Sequence, residues 1–159
     1  MNRYDAPDRS YGVAYVADEL STALMESMFH KHAWARSVNR HVALADVKQR
    51  IVRFVEMLQP VQLADITAPQ YMAATLGLNL SQLVSRRYSH TQRLSKTIYD
   101  LTGMSFDGIY YPSRNNFPSM CVALFERSTS KVRVHADLRL DQHRDWPTFV
   151  NNFQIGIVP

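Results

Sequence analysis

Tyr11 to His30 reads YGVAYVADELSTALMESMFH, and this stretch predicts a strand followed directly by a helix. Its first seven residues, Tyr11 to Ala17, are rich in aromatic and β-branched side chains, which favour a strand. Asp18 is a residue type that caps helix N-termini well, so the helix is expected from about Glu19 to His30. Apolar residues cover most of the surface of this helix, which predicts that it is buried.

Glu26 is a carboxylate on this largely apolar helix. Its neighbours one turn away are Thr22, Ala23, Phe29 and His30, so the side chain is expected to point into a partly desolvated pocket. A carboxylate in such a pocket is a candidate acid or base for catalysis. For the helix taken alone, a structural carboxylate that is hydrogen-bonded or paired with an arginine is an equally good interpretation.

A second informative stretch, FDGIYYPSRNNFPSMCVALF, runs from Phe106 to Phe125. It predicts two strands separated by a polar loop that contains Ser113, Arg114 and Asn115. Taken alone, a serine that follows a proline is most simply a turn residue.

The two stretches and the N-terminus share an ordered set of motifs: Arg3-Tyr4, Tyr15, A-L-M-E ending at Glu26, and D-G-I-Y-Y-P-S-R ending at Arg114. This order resembles the RES-domain family, which is named for an arginine, a glutamate and a serine. The resemblance covers most of the chain. Family members usually carry a further segment with an extra strand ahead of the arginine, so the N-terminal wall of the site is expected to be missing here or built otherwise.

The resemblance implies a fold, an activity and a partner. RES-domain proteins resemble ADP-ribosyltransferases in fold, and they hold NAD across a sheet cleft and cleave its nicotinamide–ribose bond. NAD is then a substrate, and no cofactor is expected. The family's toxins are typically neutralised by an Xre-type helix-turn-helix antitoxin encoded beside them, so such a protein is the expected partner, and a homodimer is compatible with the pattern.

The resemblance also assigns roles to individual residues. Glu26 would stabilise the ribosyl cation or activate the attacking water or phosphate. Tyr15 would stack on the nicotinamide ring, and the guanidinium of Arg3 would hold the pyrophosphate. The other assigned residues would bind the substrate: Ser113 the carboxamide, and Arg114 or Asn115 a phosphate.

Composition places the chain among ordinary globular domains, with 159 residues of which 46% are hydrophobic and 20% are charged. We therefore expect one domain over residues 1–159. No apolar run approaches 18 residues, and Asp5 and Asp8 interrupt the N-terminus where a signal peptide would be apolar, so a cytoplasmic protein without a membrane span is expected. The single cysteine, Cys121, lies in an apolar strand pattern and is expected to be a small core residue.

Two alternative functions follow from the charge and the motifs. The net charge of +4 suits an anionic partner, so a basic nucleic-acid-binding module is one alternative, although the basic residues form no long run. A catalytically inactive relative is the other.

His30 and His32 have no carboxylate or cysteine at ligand spacing, so no metal site is expected. The glycine-rich loops that bind phosphate in Rossmann and P-loop proteins are absent from the sequence.

The remaining segments predict short strands and helices without a regular βαβ alternation. We therefore expect one α+β domain with a central, mostly antiparallel sheet flanked by helices. The predicted strands are Arg50–Leu58, Val61–Thr67, Lys131–Leu138 and Phe153–Val158, and the predicted helices are Pro69–Leu76 and Leu80–Leu101, the latter broken near Tyr88.

Overall fold

A computed structural model of the chain describes residues 1–30, 40–67, 87–103 and 105–159. Within these ranges the chain forms eight strands and four α-helices. The strands are β1 (Val13–Ala17), β2 (Arg40–Ala43), β3 (Ile51–Met57), β4 (Leu63–Asp65), β5 (Gly108–Pro112), β6 (Met120–Phe125), β7 (Val132–Arg139) and β8 (Ile155–Val158). The helices are α1 (Leu20–Glu26), α2 (Leu44–Gln49), α3 (Ser89–Asp100) and α4 (Trp146–Asn152), with 3-10 turns at Glu126–Lys131 and Leu140–Gln142.

The described strands form three sheets. The largest has the order β1–β6–β5–β4, in which β6 is antiparallel to both β1 and β5, while β4 is parallel to β5. β3 pairs antiparallel with β7, and β2 pairs parallel with β8. The predicted α+β class with a mostly antiparallel central sheet is therefore confirmed. No helix within the described ranges is long and apolar enough to cross a bilayer.

Two clusters of buried side chains form the core of the described structure. One packs on the four-stranded sheet and includes Ile98 from α3 and Ile109 from β5. The other contains Leu24 and Met25 from α1 together with Phe149 from α4. Because α1 follows β1 directly and buries its apolar face in the second cluster, its other face is directed to a cleft beside the sheet.

The turn into β5 is fixed by Asp107 and Gly108. The Asp107 carboxylate accepts hydrogen bonds from the backbone N–H of Gln62 at 2.7 Å and from Lys131 Nζ at 2.8 Å. Burial would raise the pKa of Asp107, but these two donors outweigh burial and hold the pKa below its usual value. A Cβ on Gly108 would lie 2.4 Å from the backbone oxygen of Ala123, so only glycine permits this approach of β5 to β6.

α1 is shorter than the sequence predicts. It ends at Glu26, so the predicted end at His30 is wrong. The chain leaves the helix here because the backbone N–H of Phe29 donates to the backbone oxygen of Leu24 at 3.0 Å, one residue beyond the α-helical spacing. The start also differs, because Glu19 occupies the N-cap position and no side chain caps the helix, whereas the sequence predicts Asp18 there.

Two strands are shorter than the sequence predicts, and a local backbone feature accounts for each difference. The predicted strand Val61–Thr67 is reduced to β4, because the Asp65 side chain accepts from the Thr67 N–H at 2.8 Å and turns the chain. The predicted strand from Phe153 begins two residues later, because Gln154 has a left-handed φ of 50°.

Two elements, β2 and α2, were not predicted. For Leu140–Phe149 the sequence predicts a loop with room for a short helix, and α4 begins within this segment at Trp146. The strands predicted over Arg50–Leu58 and Lys131–Leu138 are confirmed to within one residue at each end as β3 and β7. The helix predicted over 69–76 and the first part of the one predicted over 80–101 lie outside the described residues. The described part of the latter begins at Ser89, next to the predicted break.

Candidate active site

The loop that follows β5 is closed by its own hydrogen bonds. The backbone N–H of Ser113 donates to the backbone oxygen of Ser119 at 2.8 Å. The Ser113 hydroxyl accepts from the backbone N–H of Asn116 at 2.9 Å. These bonds tighten the turn, so the N–H groups of successive residues are directed to the same side, where α1 ends.

Glu26 is the acceptor for this loop. Its Oε1 atom accepts from Ser113 Oγ at 2.6 Å, from the backbone N–H of Arg114 at 2.9 Å and from that of Asn115 at 3.1 Å. Three donors on one oxygen are suited to an ionised carboxylate and hold it in one orientation. The two stretches singled out in the sequence therefore meet at a specific contact.

The second oxygen of Glu26 is left for the cleft. Within the described part of the chain, no hydrogen bond is made to Oε2. Glu26 is half-buried and lines a cleft of about 1770 Å³. A carboxylate with one oxygen anchored and one directed to a cleft can stabilise a cation or accept a proton without reorganising.

Arg3 lies in the wall of this cleft and is only 8% exposed. Its guanidinium carbon is 5.3 Å from the centre of the Tyr4 ring and 5.5 Å from that of Tyr111. A cation in contact with aromatic faces is partly desolvated, which strengthens its attraction for an anion. The N-terminal segment thus brings a buried positive charge to the same cleft as Glu26.

Tyr15 lines the cleft from β1. Its hydroxyl donates to Asp5 at 2.9 Å and accepts from the backbone N–H of Tyr4 at 2.8 Å. Burial, above all, raises the pKa of Tyr15 and of Tyr111 well beyond the usual value, so both phenols stay neutral at physiological pH. The Tyr15 hydroxyl therefore serves to hold the N-terminal segment in place, while its ring remains at the cleft.

The resemblance assigns Ser113 to the substrate carboxamide, and the structure places its hydroxyl against the Glu26 carboxylate. It is only 2% exposed, and it is not among the residues that line the cleft. Its proton is donated to Glu26 and its oxygen accepts from Asn116, so the hydroxyl has little capacity left for a substrate carboxamide. The geometry instead makes Ser113 a support for the Glu26 carboxylate.

Arg114 and Asn115 both line the cleft. The Arg114 guanidinium lies 5.8 Å from the centre of the Tyr88 ring and donates to the Tyr88 hydroxyl at 3.4 Å. The side-chain nitrogen of Asn115 is buried and has no hydrogen-bond partner among the described residues. This amide therefore has hydrogen-bonding capacity that the described residues leave unused.

A comparison with protein families matches the RES domain to residues 1–148. The chain belongs to the RES-domain family. No match was found among curated proteins or among solved structures. Family membership associates this RES domain with NAD-acting proteins of toxin–antitoxin systems.

The cysteine of this RES domain is a poor candidate for a nucleophile. Cys121 is buried next to Tyr111 in the four-stranded sheet, as the sequence predicts. Burial, followed by the negative charge of Glu26, raises the pKa of the thiol to about 12. His30 is exposed and its ring contacts the backbone oxygen of Ser27, while His32 lies outside the described residues.

Several residues at the cleft were missed in the sequence. Tyr88, Phe54 and His143 also line it. They come from segments with no recognisable motif and are brought in by the tertiary fold. Their aromatic character was a weak signal, because aromatic residues at such positions are more often part of a core.

Proposed function

We propose that this RES domain degrades NAD by cleaving the bond between nicotinamide and ribose. The observation that supports this proposal is the Glu26 carboxylate, which lines the cleft and is anchored through Oε1 by Ser113 and two backbone N–H groups. Breaking the bond creates positive charge on the ribose, and a fixed carboxylate stabilises that charge most in the transition state.

In the proposed reaction the bond between C1′ and the ring nitrogen breaks heterolytically. Its electron pair goes to the nicotinamide nitrogen, which loses its positive charge, and neutral nicotinamide leaves. An oxygen of water or inorganic phosphate then forms the new bond to C1′, and the proton released in that step passes to Glu26. This reaction needs a carboxylate at the ribose and few other catalytic groups.

The other residues at the cleft would bind and orient the substrate. We assign the pyrophosphate to Arg3, whose buried guanidinium can contact phosphate oxygens with two parallel donors. The ring of Tyr15 would face the nicotinamide. Arg114 would add a phosphate contact, and the unpartnered amide nitrogen of Asn115 would donate to the substrate.

NAD consumption in the cytoplasm would make the protein a toxin, and an Xre-type antitoxin encoded beside it would restrain it. This part of the proposal is supported by family membership alone.

The test is to incubate the purified protein with NAD and to follow free nicotinamide by chromatography. NADH is the matched control, because its uncharged dihydronicotinamide is a much poorer leaving group. The proposal predicts nicotinamide release from NAD and little from NADH. An intact NAD pool after prolonged incubation with folded protein would refute it, as would equal cleavage of both nucleotides.

A further inference from the structure

The cleft that contains Glu26 has a second wall. Residues of β3 line it, and His143, which follows the 3-10 turn at Leu140–Gln142, joins them. The residues assigned above to the nicotinamide, the ribose and the phosphates do not belong to this wall. A cleft of about 1770 Å³ offers space well beyond those groups.

Two aromatic rings form a parallel pair on the second wall. The rings of Phe54 and His143 are 5.7 Å apart between centroids and are inclined by only 10°. His143 is 8% exposed, whereas Phe54 is 38% exposed and lies at the cleft. The His143 ring is therefore buried behind Phe54, and the Phe54 ring presents apolar surface to the cleft.

The fold holds this pair rigidly. The His143 ring accepts through Nδ1 from the backbone N–H of Asp145 at 3.1 Å, which leaves Nε2 as the nitrogen that carries hydrogen. The backbone N–H and oxygen of His143 are both used, by Leu140 and Trp146 respectively. The β3–β7 pairing shifts register beside Phe54, and such bulges commonly re-aim side chains near functional sites.

We propose that Phe54, backed by His143, is a stacking subsite for the adenine of NAD. This inference rests on the proposed function, because it assigns the far end of the same substrate. A purine base has a flat apolar face that a rigid exposed ring can cover. Nicotinamide at Tyr15 and adenine at Phe54 would place the two bases of the dinucleotide on different walls of the cleft.

The subsite can be tested by comparing two substrates that share the reacting bond. NAD contains adenosine, whereas nicotinamide mononucleotide has the same nicotinamide–ribose bond and no adenine. Phe54→Ala should lower kcat/KM for NAD relative to the mononucleotide by roughly 5- to 150-fold, the range expected for one stacked base. The loss should be seen in KM, and Phe54→Tyr, which retains a ring, should restore most of it.

Ile51→Ala is the matched control, because Ile51 is an apolar residue of β3 that is 60% exposed and does not line the cleft. This variant should leave the ratio of the two substrates unchanged. An unchanged ratio in Phe54→Ala, or the same change in Ile51→Ala, would overturn the subsite.

A separate binding measurement distinguishes failure of the subsite from failure of the proposed function. If neither substrate is cleaved, the proposed function fails, and titration with adenosine monophosphate then decides about the subsite. Binding to the parent protein that weakens by at least 5-fold in Phe54→Ala and recovers in Phe54→Tyr would support it. Absence of binding, or binding that is insensitive to Phe54, would overturn it.

Discussion

Replacing Ser113 by alanine removes three hydrogen bonds around Glu26: the one to its carboxylate and those that the hydroxyl accepts from the backbone N–H groups of Asn115 and Asn116. The hydroxyl donates to Glu26 at 2.6 Å and accepts from the backbone N–H of Asn116 at 2.9 Å. A hydrogen bond to a charged group contributes about 1.5–3 kcal/mol, and a buried donor left unpaired costs about 1–3 kcal/mol. Because both effects occur in one small cavity, we expect the free energy of unfolding to fall by about 2–4 kcal/mol.

The same change should reduce turnover without abolishing it. Glu26 keeps its two backbone donors, at 2.9 and 3.1 Å, so the carboxylate remains but is held less well. A misplacement of about 1 Å can cost about 100-fold, so kcat for NAD should fall by roughly 10- to 100-fold. Chemical denaturation measures the stability, and nicotinamide release below the unfolding transition measures kcat.

A serine on the same loop provides the control for Ser113→Ala. Among the residues that the structure describes, the Ser119 hydroxyl has one hydrogen-bond partner, the amide of Asn116 at 3.4 Å, so Ser119→Ala should change kcat less than about twofold. In a Glu26→Gln background, Ser113→Ala should have much less effect on kcat than in the parent, because it acts through the carboxylate. A folded Ser113→Ala variant with parental kcat, or additive effects of the two substitutions, would refute this reasoning.

Three further predictions concern Arg3 at the cleft and the turn into β5. Arg3→Lys should lower kcat/KM for NAD by about 10-fold or more, because an ammonium cannot make a bidentate contact; steady-state kinetics at parental values would contradict this. Gly108→Ala should lower the free energy of unfolding by about 1–3 kcal/mol, because the new Cβ would lie 2.4 Å from the Ala123 oxygen, and an unchanged denaturation midpoint would contradict it. The lowered pKa of Asp107 contributes stability that is present above the pKa of about 3.9 in the unfolded chain and is lost as pH falls through the folded-state pKa. Asp107→Asn should therefore be less stable than the parent at pH 7, with a difference that shrinks on acidification to pH 3, and thermal melts that stay equally separated from pH 7 to 3 would contradict this.

Much of the architecture near Glu26 could be predicted from local patterns. The β-branched and aromatic run ending at Ala17 predicts β1, and the apolar run at Met120–Phe125 predicts β6. These patterns are strong because both strands lie in the four-stranded sheet and pack on its core. They do not indicate that the strands are hydrogen-bonded neighbours, since pairing depends on the tertiary fold.

The contact between Ser113 and Glu26 could not be derived from periodicity or spacing. Family resemblance brings both residues to one site, but it does not determine which atoms meet. The Ser113 hydroxyl donates to the carboxylate because the loop after β5 turns back on itself, and this turn depends on hydrogen bonds within the loop. The supporting role of Ser113 therefore became visible only in three dimensions.

The second wall of the cleft also could not be predicted from the sequence. Phe54 lies in a strand that the sequence predicts well, yet nothing in that strand indicates which side chain faces a ligand. His143 lies in a segment expected to be mostly loop, and its ring meets Phe54 in the tertiary fold, where β3 pairs with β7. Pairs of this kind are separated too far along the chain for local patterns to connect them.

The most direct test of the account is the effect of Glu26→Gln on NAD cleavage and on NAD binding. Glutamine keeps the size of the side chain and can still accept from the loop, but it lacks the charge that would stabilise the ribosyl cation. We predict that kcat for nicotinamide release falls by about 100-fold or more, while the Kd for NAD changes by less than about threefold. A folded Glu26→Gln variant that releases nicotinamide at the parental rate would contradict the central claim.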